Sequence, residues 1–261
     1  MVGKYLKIWW GMTIIASQIA FASRFGAVIF VLGKVLRFGF FLLFLILLVS
    51  KTKAIVGYEI WQIIFFFATF NLVDTVVQLF LREVYRFRSY VVSGDFDYFL
   101  VKPISPLFRS LFGGSDVLDI LMLVISVGFV IMSIFRIGNI TFSGVMLYIL
   151  LILNALLIAI AFHIFILVIG ILTTEVDNTL WLYRDVTQMG RVPIDIYKEP
   201  LSGILTFIIP VGIMMTFPAK SLMGLLSIQA VLISFLVGAV LLYISLKCWK
   251  FAISRYASAS S

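Results

Sequence analysis

Asn71, Asp74 and Gln78 recur at i, i+3 and i+7. A helix would carry all three on one face, and Arg82 continues that face. The surrounding residues are apolar. A carboxylate inside such a stretch is costly to desolvate and normally faces protein or a water-filled cavity. The stripe therefore reads two ways, as the lining of a transport path or as an interhelical hydrogen-bond seam. A second polar set follows directly. Arg82, Glu83, Tyr85, Arg86 and Arg88 extend the helix, and Gly94 breaks it. Asp95, Asp97 and Lys102 come next, and Pro103 and Pro106 stiffen the following turn. Phe96, Phe99, Leu100, Leu107, Phe108, Leu111 and Phe112 give this segment an apolar underside. It reads as an interfacial loop anchored by aromatics or as a docking element for a soluble partner.

Other reactive residues are sparse. His163 is the one histidine, so no His-rich metal site is expected. It shares a small-residue face with Ala155, Ala159 and Gly170 and reads as a hydrogen-bonded packing residue. Cys248 is the one cysteine, which excludes an intrachain disulfide. Asp116 and Asp119 precede an apolar run and read as helix caps, with a gating role as the alternative. There is no Gly-x-x-x-x-Gly-Lys-Ser/Thr phosphate cradle, no His-Glu-x-x-His and no Gly-x-Ser-x-Gly. Nothing here points to catalysis.

The elements that hold these residues follow from composition. Of 261 residues, 63% are hydrophobic and 12% charged. Soluble domains carry roughly 25% charged residues. Mean hydropathy is +1.18. The reading is an all-α polytopic membrane protein, a single domain over 1–261. Helices of about 20 apolar residues are expected near 28–50, 58–81, 117–135, 141–172 and 226–247. A shorter sixth span lies near 201–218 and contains Pro210 and Pro218, so it is expected to be kinked or partly re-entrant.

Counting that segment as a span leaves only Lys51, Lys53, Arg136 and Lys220 in the outer loops, with both termini inside. Arg184, Arg191 and Lys198 would then sit in a cytoplasmic loop. Lys34 and Arg37 would snorkel from the inner part of the first span. The net charge of +8 fits this membrane bias better than it fits nucleic acid. Lys4 and Lys7 precede an apolar run ending in Ala-Phe-Ala-Ser, which has the form of a signal peptide. Lys4, Lys7, Gly11 and Gln18 share one helical face, however. Residues 1–25 read better as a helix lying in the membrane interface.

The string from Gly94 to Pro106 resembles the signature loop of ABC-2-type permeases, closest to the six-helix ABC-2 family transporter group of bacteria. Gly94, Phe96, Asp97, Leu100, Lys102, Pro103 and Pro106 match that pattern. Pro193 to Tyr197, followed by Pro210 and by Pro218-Ala219, resembles a second family element. The resemblance implies a permease subunit of an ATP-driven exporter in the bacterial cell membrane. It implies pairing with a second permease copy or a homologous one. It also implies two copies of a separate ATPase subunit that bind the ATP and Mg, with no cofactor on this chain. The coupling segment would include Arg86, Arg88, Gly94, Asp95, Asp97, Leu100, Lys102, Pro103 and Pro106. An ion-coupled secondary transporter or channel is the alternative, with Asp74 as its mid-span candidate.

Overall fold

The computed structural model describes residues 2–52, 54–138, 140–173 and 176–257. They form an all-α membrane protein with no strands among them. Helix α1 (Val2–Ala22) ends at Ser23, whose Oγ accepts from Gly26 N and starts α2 (Arg24–Thr52) at an angle. Helix α3 (Ile60–Leu81) begins where Glu59 N donates to Gln62 Oε1 at 2.9 Å. A 3-10 turn (Arg82–Arg86) leads into three short helices, α4 (Phe87–Val92), α5 (Phe96–Val101) and α6 (Pro106–Leu111). Helix α7 (Ile120–Ile137) stops at Gly138, where φ is +67°. Helix α8 (Phe142–Thr173) follows, then the polar α9 (Val176–Gln188). Leu201–Gly203 is one turn, α10, that continues into a π-helical stretch (Ile204–Ile208). A second π stretch (Gly212–Thr216) runs into α11 (Phe217–Leu222). Helix α12 (Ile228–Arg255) closes the chain, started by Ser227.

Among the described residues five helical runs are long and apolar enough to cross a membrane, namely Arg24–Thr52, Ile60–Val92, Val117–Ile137, Phe142–Thr173 and Ile228–Arg255. Helix α8 packs along α12, and α3 along α7. The α8–α12 seam is pinned by Asn154 Nδ2 donating to Ser234 O at 2.9 Å, with Gly238 leaving room for the amide. His163 is buried, its Nδ1 lies 2.8 Å from Ala159 O, and its ring meets Tyr183 edge-on. Gly170 lets Val176 and Phe87 approach α8. The small face is thus packing surface at every position.

The segment expected to span near 201–218 does something else. Leu201–Ile208 and Gly212–Leu222 are bent by 79° at Ile209-Pro210. Both flanks of the pair lie at the end of the bundle away from residues 82–116, the outer end in the orientation that the cation count gives. Residues 201–203 pack on 194–196, Ile194 N donates to Thr216 Oγ1, and Lys220 pairs with Asp195. Asp195 in turn meets Tyr58 before α3, and Leu222 lies against Gly144 near the start of α8. The pair enters and leaves from one side. The pass along the bundle is made instead by residues 176–195. Val176 starts beside Phe87 and Gly170 at the inner end, Gly190 abuts Val211 and Met215, and Asp195 ends beside Tyr58. Arg184 and Arg191 therefore sit within the bundle and not in a cytoplasmic loop. Arg184 and Arg191 line a cavity there, which keeps these two charges off an apolar surface.

Candidate functional site

A cavity of about 420 Å³ lies in the inner half of the bundle between α2, α3, the start of α7 and α9. Asn71, Asp74 and Gln78 line it, together with Thr75, Arg82 and Tyr85. The i, i+3, i+7 stripe is brought together as one wall. Asn71 Nδ2 donates to Phe67 O within its own helix at 2.7 Å, and Gln78 is bound to Tyr85 Oη. Neither bridges to another long helix, so the stripe does not build the interhelical seam that was one of its two readings.

Sequence reasoning missed what faces that wall. Lys34 and Arg37 of α2 line the cavity, as do Arg184 and Arg191. Lys34 does not snorkel; it turns inward to an ion pair with Asp119. Arg82 pairs with Asp116 and stands 3.8 Å from Asp119. Both cations also lie over the Phe30 ring, 4.4 Å (Lys34 Nζ) and 5.1 Å (Arg82) from its centre. Asp116 does cap as expected, its Oδ1 accepting from Leu118 N. Asp119 caps nothing and serves Lys34 instead. The signal for the arginines was available: Arg184, Thr187 and Arg191 repeat the same i, i+3, i+7 spacing.

The second polar set forms a shelf at the inner end. Gly94 takes φ +79°, which an L side chain rarely adopts, and turns the chain from α4 into α5. Phe96 is fully buried among Phe87, Trp249 and Tyr256, so α5 is nailed to the last helix. Burial of such a ring contributes about 1.5–3 kcal/mol. Ser105 Oγ accepts from Phe108 N and Pro106 takes the first turn of α6. Lys4 Nζ donates to Pro103 O at 2.8 Å, and Ser105 N donates to Tyr5 Oη, so α1 clasps the loop from one side. Arg86 and Arg88 turn to intramolecular partners, Glu83 and Asp177 respectively. Asp95 bonds Ser93, while Tyr98, Leu100, Val101 and Lys102 face outward. Leu100 therefore lies on the upper surface and not on the apolar underside.

A model of the ABC-2 family transporter protein matches residues 35–260. The chain belongs to the ABC-2 transporter family. No curated protein and no solved structure matches it. ABC-2 members are the membrane-spanning component of their transporters, and the fold here has the helices for that role.

In this ABC-2 chain the second family-like element, Pro193 to Tyr197, lies at the end of the bundle away from residues 82–116, beside Tyr58 and Lys220. Asp195 accepts from Lys220 Nζ at 2.7 Å and from Tyr58 Oη at 3.1 Å. Burial first, and then the Asp195 charge, push the Tyr58 phenol well above its usual range, so it remains a donor. Three separate segments meet in this cluster. Asp195→Asn is expected to lower thermal stability by about 1–2 kcal/mol, because a charge-assisted bond is lost at a partly exposed site. Tyr58→Phe is expected to cost less, since it removes one longer bond. Melting curves of the purified chain measure both.

Proposed function

We propose that this chain is the permease subunit of an ATP-driven exporter in the bacterial cell membrane. In this reading ATP and Mg are bound by a separate ATPase subunit present in two copies. The permease works beside a second copy of itself or a homologous permease. The observation that carries the reading is the inner shelf, whose upper surface is offered outward while its lower surface is locked to the bundle. Tyr98, Leu100, Val101 and Lys102 are exposed on it, and Phe96 and Phe99 are buried beneath.

Two links lead from the shelf to the cavity, one buried and one at the surface. Arg109 of α6 holds Glu83 at the end of α3, and α3 carries Asp74. Arg88 of α4 meets Asp177 at the start of α9, and α9 carries Arg184. Motion of a docked ATPase would thus reach two cavity walls at once and bias the cavity between inward-open and outward-open forms. Closing the outer side falls to the Tyr58–Asp195–Lys220 cluster and the bent helix pair.

Co-purification with an ATPase subunit in stoichiometric amounts is the expected result. Lys102→Ala, at an exposed position, and Asp97→Ala are expected to uncouple ATP hydrolysis from transport with unchanged membrane expression. Normal coupling in both variants would remove the shelf from the mechanism. The ion-coupled alternative draws on Asp74, which has no ion-pair partner within 4 Å among the described residues. Transport by this chain alone in vesicles, driven by an ion gradient and abolished in Asp74→Asn, would favour that alternative.

A further inference from the structure

The cavity has an unbalanced charge inventory. Five cations line it, against the two carboxylates of Asp74 and Asp119. Lys34 and Arg82 are neutralised by Asp119 and Asp116. Arg37, Arg184 and Arg191 have no carboxylate within 4 Å and no side-chain hydrogen bond among the described residues. Unpaired charge in a bundle of low dielectric is costly, and the cleft shape concentrates its field.

The geometry of Arg184 and Arg191 adds direction. Arg191 lies over the faces of Phe41 and Phe70, 5.2 and 5.7 Å from their centres. Arg184 lies over Trp181 and Tyr85, at 5.4 and 5.7 Å. Ring contact fixes a guanidinium without consuming its N–H donors, which lie in the guanidinium plane. That arrangement suits bidentate binding of a carboxylate or phosphate. Apolar surface lies beside the polar α3 stripe, with Phe30, Phe38 and Phe41 of α2 and Phe67 of α3 lining the cavity. A volume of about 420 Å³ is that of a small-molecule pocket.

We propose that this cavity binds an anionic amphiphile, its phosphate or carboxylate head held by Arg184 and Arg191 and its apolar part lying against the phenylalanines of α2 and α3. Calling that occupant the cargo rests on the permease reading; the binding itself does not. Asp74 opposes the anion from the facing wall and limits how tightly it is held.

The test uses the purified full chain in a neutral detergent, titrated with dodecyl phosphate, dodecylphosphocholine and inorganic phosphate while thermal unfolding is followed. Dodecyl phosphate is expected to raise the melting temperature saturably, and dodecylphosphocholine to leave it unchanged. Inorganic phosphate is expected to act only at concentrations at least about tenfold higher, since it lacks the apolar part. Arg184→Gln and Arg191→Gln should each weaken dodecyl phosphate binding about tenfold or more. Asp74→Asn should tighten it, an effect that general destabilisation cannot mimic. Equal responses to the phosphate and phosphocholine amphiphiles would overturn the proposal. So would unchanged affinity in both arginine variants when they melt like the parent without ligand. Inorganic phosphate acting as well as dodecyl phosphate would overturn the apolar half. A chain that binds dodecyl phosphate but purifies without an ATPase keeps this inference and loses the permease reading; the opposite pair of results does the reverse.

Discussion

Glu83→Ala is expected to lower the stability of the chain by about 3 kcal/mol or more and to loosen the inner shelf from α3. Glu83 is 3% exposed although it sits in a run of charged residues. Its Oε1 accepts from Arg109 Nη1 at 2.6 Å and from Tyr90 Oη at 2.8 Å, and Arg86 lies 3.3 Å from Oε2. Gly113 packs directly on the carboxylate, so it has little room to move. Removing it strands Arg109, whose guanidinium also covers the Phe99 ring at 4.7 Å and cannot simply swing to water. Glu83→Gln keeps an acceptor for Tyr90 and should cost less, about 1–2 kcal/mol. Arg109→Ala combined with Glu83→Ala should cost less than the two singles summed, because no stranded charge remains. Thermal unfolding of the four proteins gives the coupling, and proteolysis within 94–106 reports release of the shelf. Strict additivity would mean that the pair does not hold the shelf.

The long apolar helices were readable because a lipid-facing surface demands about 20 consecutive apolar residues, a demand visible without partners. The Asn71–Asp74–Gln78 wall was readable for a related reason, since the helical period alone puts those residues on one face. Helix α9 escaped because the same logic was applied where it does not hold. It is polar, and its Arg184 faces a cavity within the bundle, so hydropathy places the helix in solution and moves the missing pass onto 201–218. The second limb of the proline-broken pair is apolar because it is wedged into the bundle, where Val211 and Met215 meet Gly190.

The charges of the site show a second limit of one-dimensional reading. Arg184 and Arg191 repeat the spacing of the α3 stripe, yet only folding sets them opposite it, and Lys34 and Arg37 across from both. Glu83 is harder still. Its neighbours Arg82, Tyr85, Arg86 and Arg88 suggest a solvated face, and its burial is decided by Arg109, which lies 26 residues away. The signature loop was legible as a segment because Gly94 and the two prolines punctuate it. Which of its residues point outward was not, as Leu100 shows, because that depends on how Phe96 docks against Trp249 and Tyr256.

Gly114→Ala is expected to be strongly damaging, through a backbone contact that no rotamer change relieves. Gly114 has φ +124°, a conformation that costs a residue with a Cβ about 1–3 kcal/mol. A Cβ there would also lie 2.8 Å from Met12 O and 3.0 Å from Met12 C, both backbone atoms of α1. Overpacking of this kind adds about 1–3 kcal/mol. The helix it would push away is held at this point by Thr13 Oγ1, which accepts from Ser115 N at 3.1 Å, and by Trp9 stacked on Phe80. Further along, the same helix holds Pro103 and Ser105 through Lys4 and Tyr5. Displacing α1 should therefore disturb the shelf some distance away and lower the melting temperature; on the permease proposal, ATP-driven transport should fall with it. Gly128→Ala is the matched control, because a Cβ there meets nothing within 4 Å and alanine favours the helix. If Gly114→Ala melts and transports like Gly128→Ala, α1 is not seated on this turn, and its clasp on the signature loop has no part in coupling.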